Sequence, residues 1–235
     1  MKKQYHVEPD IDVYVCDTQQ EIDDCIANNV PVIGYDPQNV GLSCDEILLD
    51  YEGIDDAYLT RVHHRFYGIP MEILETSRLR VRELALSDMA DLYELYAGEG
   101  ITEFVEPLFP YEEELEYQKN YIKYIYGFYE YGMWLVFEKS TGKLIGRVGV
   151  ESKGELPEDT VEMGYVIATW AQGQGYATEV CRAIMDYTHE NLEKQHIICR
   201  VNPKNTASVA LMKHLGFQKQ QSTGQNDEDV WTYAY

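Results

Sequence analysis

The stretch Trp170-Ala171-Gln172-Gly173-Gln174-Gly175-Tyr176-Ala177-Thr178-Glu179 decides the fold of this chain. It lies between an apolar segment that predicts a strand, 161–168, and an amphipathic segment that predicts a helix, 175–192. Two glycines separated by one residue let the backbone approach a ligand closely and point consecutive N–H groups towards it. The positive end of the following helix dipole adds to this effect. Such a turn suits a pyrophosphate or a similar anion, with a plain tight turn as the alternative.

The turn differs from two common phosphate-binding loops. No Gly-Lys-Ser/Thr sequence follows the glycines, so it is not a Walker loop. Thr178 stands where a dinucleotide-binding fingerprint has its third Gly or Ala, so that pattern is incomplete as well. The sequence on either side of the turn must therefore identify the ligand.

Residues 74–235 alternate strands and helices in an order that predicts an α+β domain. Period-two segments indicate strands, and segments with apolar residues three and four apart indicate helices. The predicted strands are 78–83, 134–138, 144–150, 161–168, 197–201, 217–221 and 230–235, and the predicted helices are 87–96, 111–129, 175–192 and 208–215.

Four ordered stretches share their pattern with one enzyme family. Gln172 to Ala177 matches the Q/R-x-x-G-x-G/A motif for acetyl-coenzyme A in GNAT acetyltransferases, and the whole turn resembles the RimJ/RimL ribosomal-protein N-terminal acetyltransferase subgroup. The resemblance covers about residues 74–220 and implies the GNAT fold, a mixed and mostly antiparallel central sheet flanked by helices. The other matching stretches are Glu75 to Arg82, Glu162 to Ile167, and Asn205 to Ser208 followed by Lys213 to Phe217.

The resemblance implies acetyl-CoA as the cosubstrate and a set of residues that hold it. Backbone N–H groups of the turn would bind the pyrophosphate, and a backbone N–H near Val166 would polarise the thioester carbonyl. Asn205 would contact the cofactor or order its loop, with a helix N-cap role as the alternative. Lys204, Lys213 and Lys219 would meet the adenosine phosphate. The residues assigned to cofactor binding are Val166, Gln172, Gly173, Gln174, Gly175, Tyr176, Ala177 and Asn205.

Two residues are assigned to catalysis by the same resemblance. Glu162 is the candidate general base, taking the ammonium proton directly or through water, and a solvent-facing strand residue is the alternative. Ser208 would hydrogen-bond the thiol sulfur. Many GNAT enzymes have a Tyr general acid seven residues after the Asn, and Met212, which occupies that position here, cannot donate a proton. Ser208, a Tyr from elsewhere or water must then take that role.

Residues 1–73 predict a separate small α/β module that is Rossmann-like, with a parallel sheet. The module weakly resembles the tail of a HAD-type phosphatase. Asp10 and Asp12 follow no apolar strand, however, and the two lysines stand at the N-terminus. We therefore expect a catalytically silent unit for packing, dimerisation or the substrate rim, with a magnesium site at Asp17 as the alternative. The predicted strands are 13–16, 30–35 and 46–50, and the helices are 19–28 and 55–67.

The charge of the chain restricts its partners. The 235 residues include 41 Asp and Glu against 19 Lys and Arg, a net charge of −22. This argues against nucleic acid and anionic membranes, which both require Lys and Arg, and favours cationic partners. No apolar run reaches the roughly 20 residues of a membrane span. Five scattered cysteines without a paired motif indicate a reducing cytoplasm and no metal site.

The segment 84–120 holds ten acids and one base, and seven of the 20 tyrosines lie between 111 and 131. In the GNAT fold this region lines the acceptor groove, so we expect a cationic amine as acceptor: an aminoglycoside, a polyamine or a peptide N-terminus. Two other functions stay open. A non-catalytic acyl-CoA sensor would explain Met212, and a structural pairing protein, with a homodimer as its product, would use residues 1–73 as its interface.

Overall fold

The computed structural model describes residues 2–7, 9–220 and 228–235. The chain divides into two compact units, one ending at Met71 and the other running from Glu72 to Tyr235. The sequence predicts this boundary two residues later. In the described part of the chain, every helix is too short or too polar to cross a membrane.

The first unit is a four-stranded sheet with one helix on each face. Helix α1 packs Ile22 against Cys16 on one face, and α2 packs Leu59 against Val13 on the other, because alternate residues of a strand point to opposite faces. The strand order is β1-β2-β3-β4. The elements are β1 (Lys3–Val7), β2 (Ile11–Cys16), α1 (Gln19–Ala27), β3 (Val32–Tyr35), β4 (Ile47–Leu48) and α2 (Asp56–Tyr67).

The sheet of the first unit is mixed, which corrects the predicted all-parallel unit. Strands β2, β3 and β4 are parallel, but β1 pairs antiparallel with β2. The pattern missed β1 because Lys3, Gln4 and His6 make this edge strand mostly polar and exposed. The predicted helices are present, and Thr18 and Asp55 cap them by accepting the backbone N–H three residues later.

The second unit is built on an eight-stranded sheet, and its α+β class with a mixed, mostly antiparallel sheet is confirmed. Short 3₁₀ turns lie at Leu86–Asp88, Ile101–Glu103 and Thr169–Ala171. The main elements are β5 (Glu72–Glu75), β6 (Leu79–Arg82), α3 (Met89–Tyr96), α4 (Tyr111–Asn120), α5 (Gly127–Tyr129), β7 (Met133–Glu138), β8 (Leu144–Glu151), β9 (Thr160–Ile167), α6 (Tyr176–Glu190), β10 (His196–Val201), α7 (Thr206–Leu215), β11 (Gln218–Lys219) and β12 (Asp229–Ala234).

One strand pair in this sheet separates along its length. The order is β11-β12-β10-β9-β8-β7-β6-β5, and within it only β9 and β10 run parallel. Their register ends at the pair of Glu162 with Ile198, whereas β9 stays paired with β8 as far as Ile167. The edge of β9 from Met163 to Ile167 therefore faces a gap instead of a neighbouring strand.

The rest of the sheet is held by a continuous apolar core. Strand β8 is buried over seven of its eight residues, as expected for a central strand covered on both faces. Trp134 of β7 is fully buried beside it. Helix α6 contributes Val180 and Ile184 to this core, and α7 contributes Met212. Both helices are thereby fixed against the sheet, and each contributes to the wall of the gap.

Three local features differ from the predicted elements. Strand β5 was not expected, because its four residues begin and end with Glu. The predicted helix over 111–129 is interrupted by a π-helical segment, Tyr121–Tyr126. The predicted strand 217–221 is reduced to β11, and Gln221 lies outside the described residues.

Glu179, in the first turn of α6, ties this helix to the segment before β6. Its carboxylate accepts hydrogen bonds from the Thr76 hydroxyl (2.6 Å), the Ser77 hydroxyl (3.1 Å) and the Arg78 backbone N–H (3.0 Å). The Arg78 guanidinium pairs with the same carboxylate at 2.6 Å and also donates to the Gln174 carbonyl at 3.0 Å. Burial alone would raise the pKa of Glu179, but these hydrogen bonds outweigh it and hold that pKa below its usual range.

Replacing Glu179 with Gln should destabilise the chain by about 1–2 kcal/mol at pH 7, because charge-assisted hydrogen bonds are lost. A carboxyl whose folded pKa is lowered contributes stability above its unfolded pKa of about 4.3 and loses it as the pH falls further. The difference from wild type should therefore shrink below about pH 4. Urea unfolding of wild type and variant at pH 7 and at pH 3 measures this difference in stability. Glu94→Gln, which changes an exposed carboxylate of α3, is the control. A loss of equal size at pH 7 and pH 3 would contradict this account.

Candidate functional site

A cavity of about 770 Å³ opens where β9 and β10 separate. Its walls come from the end of β9, the glycine turn, the first turn of α7 and the loop 100–105. Eight of the ten predicted site residues are in these walls, and Gln174 and Glu162 are not. The eight are Val166, Gln172, Gly173, Gly175, Tyr176, Ala177, Asn205 and Ser208.

The glycine turn presents backbone rather than side chains to the cavity. Gly173 and Gly175 have φ of +73° and +82°, in the left-handed region that glycine adopts readily. The Gln172 side chain donates to the Ile167 carbonyl (2.9 Å), and the Gln174 side chain donates to the Trp170 carbonyl (3.1 Å). Both glutamine side chains thus stabilise the turn through these hydrogen bonds. The space in front of Gly173 is open, since a Cβ placed there would meet no atom within 4 Å.

The first turn of α6 supplies further donors. Gly175 is the N-cap and has no side chain to accept a hydrogen bond, so the N–H groups of Tyr176, Ala177 and Thr178 have no acceptor within the helix. All three residues line the cavity. Unpaired N–H groups at a helix N-terminus beside open space meet the needs of a phosphate. The residues present therefore fit the pyrophosphate of coenzyme A.

The side chain of Tyr176 points away from this space and anchors the helix. Its hydroxyl donates to Glu138 of β7, and the Arg78 guanidinium lies 4.3 Å from the centre of its ring. Only 6% of Tyr176 is exposed. The side chain of Tyr176 is therefore engaged within the fold, and its backbone N–H is the group available to a ligand.

The exposed edge of β9 offers backbone donors in the gap. The Ala168 N–H donates to the Ile145 carbonyl at 2.8 Å. This hydrogen bond shows which residues of β9 direct their N–H groups towards β8 in the antiparallel ladder. Alternation along that ladder directs the N–H of Val166 towards β8 and those of Tyr165 and Ile167 into the gap. Val166 lines the cavity, and the free donors beside it belong to its two neighbours.

Asn205 and Ser208 stand together at the start of α7. The Asn205 side-chain oxygen accepts the Ser208 backbone N–H at 3.0 Å, so Asn205 is the N-cap of this helix. Both residues also line the cavity. Met212, one turn further along α7, is fully buried in the core and presents no polar group there.

Glu162 is held by an ion pair at the point where the two strands separate. Its carboxylate pairs with Arg200 of β10, two residues beyond Ile198 at the last rung of the parallel ladder. On its other side, Glu162 lies directly opposite Glu151 of β8, whose carboxylate is 2.7 Å from the Lys153 ammonium. The candidate base is thus beside the gap but outside the cavity wall.

The sequence assigned no role to Tyr165 or His214, two polar residues of the wall, whereas Glu103 belongs to the acidic segment that was expected to attract the acceptor. Tyr165 belongs to a quoted motif, but the pattern does not show where its hydroxyl lies. Of the three lysines expected near the adenosine phosphate, Lys204 lines the cavity. Lys219 is instead paired with Asp229 at 2.6 Å.

The acidic segment 84–120, which includes α3 and α4, divides into buried and exposed carboxylates. Asp88 is buried and holds the Arg82 guanidinium at 2.7 Å, and Glu114 is buried and accepts from Gln118 at 2.6 Å. These two acids stabilise the fold. The other eight are exposed, and Glu103 among them lines the cavity. Within the described ranges, no three His, Cys, Asp or Glu side chains are grouped so as to hold a metal ion.

A second depression, of about 400 Å³, lies beside Glu151. The Tyr121 hydroxyl donates to the Glu151 carboxylate at 2.7 Å and accepts the Met133 N–H at 2.8 Å. Lys153 also lines the depression and is paired with Glu151, so it is the aromatic faces that suit the ammonium group of a ligand. Five tyrosines line the depression: Tyr117, Tyr121, Tyr124, Tyr129 and Tyr131.

Comparison with known proteins agrees with this architecture. The model of the acetyltransferase (GNAT) domain family matches residues 78–218, more than half of the chain. The uncharacterized N-acetyltransferase p20 of Bacillus licheniformis is 27% identical over 153 residues, which cover 64% of this chain and 84% of that protein.

Two solved structures share the fold of the second unit. A putative ribosomal-protein-serine acetyltransferase from Vibrio cholerae superposes with a TM-score of 0.59 at 22% identity, covering 70% of this chain and 98% of that one. A spermidine N-acetyltransferase from Vibrio cholerae, in complex with CoA and spermine, gives a TM-score of 0.54 at 24% identity and covers 67% and 94% of the two chains. The family match and the amide-lined cavity lead to one conclusion: the chain belongs to the GNAT acetyltransferase family and is an N-acetyltransferase that uses acetyl-CoA.

Proposed function

We propose that this enzyme transfers acetyl directly from acetyl-CoA to a primary amine of a cationic small molecule or of a peptide N-terminus. The proposal is carried by the cavity at the strand gap, which joins the amide-rich turn and Ser208 to the loop 100–105 and its Glu103 carboxylate. An anionic cosubstrate and a cationic acceptor then enter from opposite ends of one cavity.

The backbone performs much of the binding in this proposal. Acetyl-CoA supplies the activated acetyl group as a thioester. The N–H groups between Gly173 and Thr178 hold its pyrophosphate. The N–H of Tyr165 or Ile167 donates to the thioester carbonyl as negative charge develops on its oxygen. Because these donors are fixed by the turn and by β9, they need no rearrangement during the reaction.

Two side chains are assigned to the proton and the sulfur. Glu162 takes the ammonium proton of the acceptor, directly or through a water molecule. Its ion pair with Arg200 fixes the carboxylate beside the gap, so the acceptor reaches it where the strands separate. Ser208, whose backbone is held by the Asn205 cap, directs its hydroxyl to the sulfur.

The acceptor class rests on charge and aromatic surface. Glu103 brings a carboxylate to the cavity wall, and the tyrosine-lined depression beside Glu151 adds faces for an ammonium group. The names of the two similar proteins give spermidine and a ribosomal-protein serine as their acceptors, and both are acceptors of this kind. We propose the first unit as a non-catalytic accessory module that serves pairing of chains or the substrate rim.

A second candidate function is an acyl-CoA sensor without transferase activity. The buried Met212 favours this function, because the side chain at this position does not reach the cavity. The two functions differ in a single observable, since a sensor binds acetyl-CoA but releases no thiol.

Thiol release from acetyl-CoA by the full-length chain should distinguish the two functions. We expect release with at least one member of a panel of spermidine, an aminoglycoside and peptides that begin with Ala or Ser. Saturating acetyl-CoA, at about 100 times its Kd, should add roughly 2.7 kcal/mol of stability and raise the Tm by about 5–11 °C. Binding without release across the panel supports the sensor, and an unchanged Tm contradicts both functions.

Replacing Gly173 with Ala should weaken acetyl-CoA binding by roughly tenfold or more, because the methyl group enters the space of the pyrophosphate and strains a positive φ. Isothermal calorimetry measures the Kd. Gly142→Ala is the matched control, since Gly142 has φ +71° and nothing within 4 Å of a built Cβ, but lies in the β7–β8 turn. The two variants should lose similar stability. Equal affinities would show that the turn does not hold the cosubstrate.

Replacing Glu162 with Gln should lower kcat by about 10²-fold or more and leave the Kd for acetyl-CoA unchanged, because the base acts on the acceptor. Steady-state kinetics with the best amine of the panel measures the loss. Glu155→Gln, in the exposed connection between β8 and β9, is the control and should keep full activity. If Glu162→Gln is as fast as the control, another group takes the proton.

A further inference from the structure

The Tyr165 hydroxyl is a buried polar group without a partner. Tyr165 lies on β9, in the part of the strand that faces the gap, and it lines the cofactor cavity. Its hydroxyl oxygen is closed off from solvent and meets no hydrogen-bond partner among the described residues. Such a group costs stability, and native proteins rarely keep one without a use. The alternative residue Phe would fill the same space without that cost.

Ser208 is a polar neighbour of this hydroxyl, and both residues line the cavity. Burial raises the pKa of Tyr165 well above its usual value, the sulfur atoms of Cys181 and Cys199 add to the rise, and Ser208 opposes it. The two hydroxyls are thus close enough to influence each other, although their present geometry falls short of a hydrogen bond. Hydrogen bonds in ligand-free sites are often long and tighten when the substrate binds.

The Tyr165 hydroxyl and Ser208 differ in their access to a ligand. Ser208 is half-buried, whereas the Tyr165 hydroxyl has no exposed surface. A ligand atom in the cavity can therefore touch Ser208 first. This order makes Tyr165 a positioning residue that acts through Ser208.

We propose that Tyr165 donates a hydrogen bond to Ser208 Oγ, so that the Ser208 hydroxyl turns its own proton towards the sulfur of the leaving thiolate. This relay rests on the proposed acetyl transfer. It replaces the side-chain donor that Met212 cannot provide. A hydroxyl that accepts one hydrogen bond becomes a stronger donor of the next, so the pair stabilises negative charge better than Ser208 alone.

The transfer step balances without a proton leaving Tyr165. The bond between the acceptor nitrogen and the acetyl carbon forms, and the carbon–sulfur bond breaks with its electron pair going to sulfur. The ammonium gives one proton to Glu162 or water before the attack, the nitrogen loses a second proton to solvent as the amide forms, and the thiolate takes one proton from solvent. Tyr165 keeps its proton throughout, because its raised pKa holds the hydroxyl neutral over the working pH range.

A double-mutant cycle tests the relay. Tyr165→Phe should lower kcat by roughly tenfold, the loss of one neutral hydrogen bond that supports the Ser208 hydroxyl, and leave the KM for the amine unchanged. In the Ser208→Ala background the same change should alter kcat by less than about twofold, because the path to the sulfur is already lost. Tyr187→Phe, a half-buried tyrosine of α6 against Trp134, is the control and should keep full activity. Additive losses would overturn the relay.

A second measurement does not depend on turnover. In the complex of the chain with CoA, the ultraviolet absorbance of the thiolate, read as the difference from the chain alone, gives the pKa of the bound thiol. Donation to sulfur should place this value below that of free CoA, and Tyr165→Phe and Ser208→Ala should each raise it by about one unit. Lys204 and His214, which also line the cavity, are the same in all three chains and cancel.

The outcomes separate the relay from the proposed function. If wild type neither binds CoA nor acetylates an amine, the proposed function fails. If wild type is active and Tyr165→Phe leaves both kcat and the thiol pKa unchanged, the relay alone is wrong. A loss of kcat without a change in the thiol pKa also overturns the relay, because a packing defect alone would explain that loss. Should Tyr165→Phe fail to fold, an unchanged thiol pKa in Ser208→Ala overturns it equally.

Discussion

The end of the parallel ladder between β9 and β10 is the constraint on which the rest of the site depends. A sheet whose strands stay paired has no space for a ligand and no free donors along an interior strand. Here the pairing stops at Glu162, and the remaining five residues of β9 keep one neighbour instead of two. The cavity, the free backbone N–H groups and the placement of Ser208 opposite Tyr165 all follow from this separation.

The separation also explains how a chain of net charge −22 accommodates an anion. The donors that face the anion are backbone amides and a helix N-terminus, and their fields act over a few ångströms whatever the distant surface carries. The acidic side chains of residues 84–120 are exposed, apart from Asp88 and Glu114, which are buried and paired within the fold. One of the eight exposed acids, Glu103, reaches the wall of the cavity that the turn also lines.

Contiguous features could be predicted from the sequence, and contacts between distant residues could not. The glycine turn and the central strands are local patterns, and the structure has them as expected. Strand β5 and the first-unit strand β1 are short and polar, so no periodicity marks them. The contacts of Glu179 with Arg78 and of Glu162 with Arg200 join residues 101 and 38 positions apart. Only the folded chain shows that these carboxylates already have partners.

The anchoring of α6 by Tyr176 and Glu179 has a thermodynamic consequence. Arg78, just before β6, and Glu138 of β7 both hold the start of this helix, so the amides of the glycine turn have their orientation before any ligand arrives. The entropy of ordering them is lost during folding rather than on association. Ligand affinity in such a preorganised site depends on residues that never touch the ligand. Conservative changes behind the turn would then appear as weaker binding rather than as altered contacts.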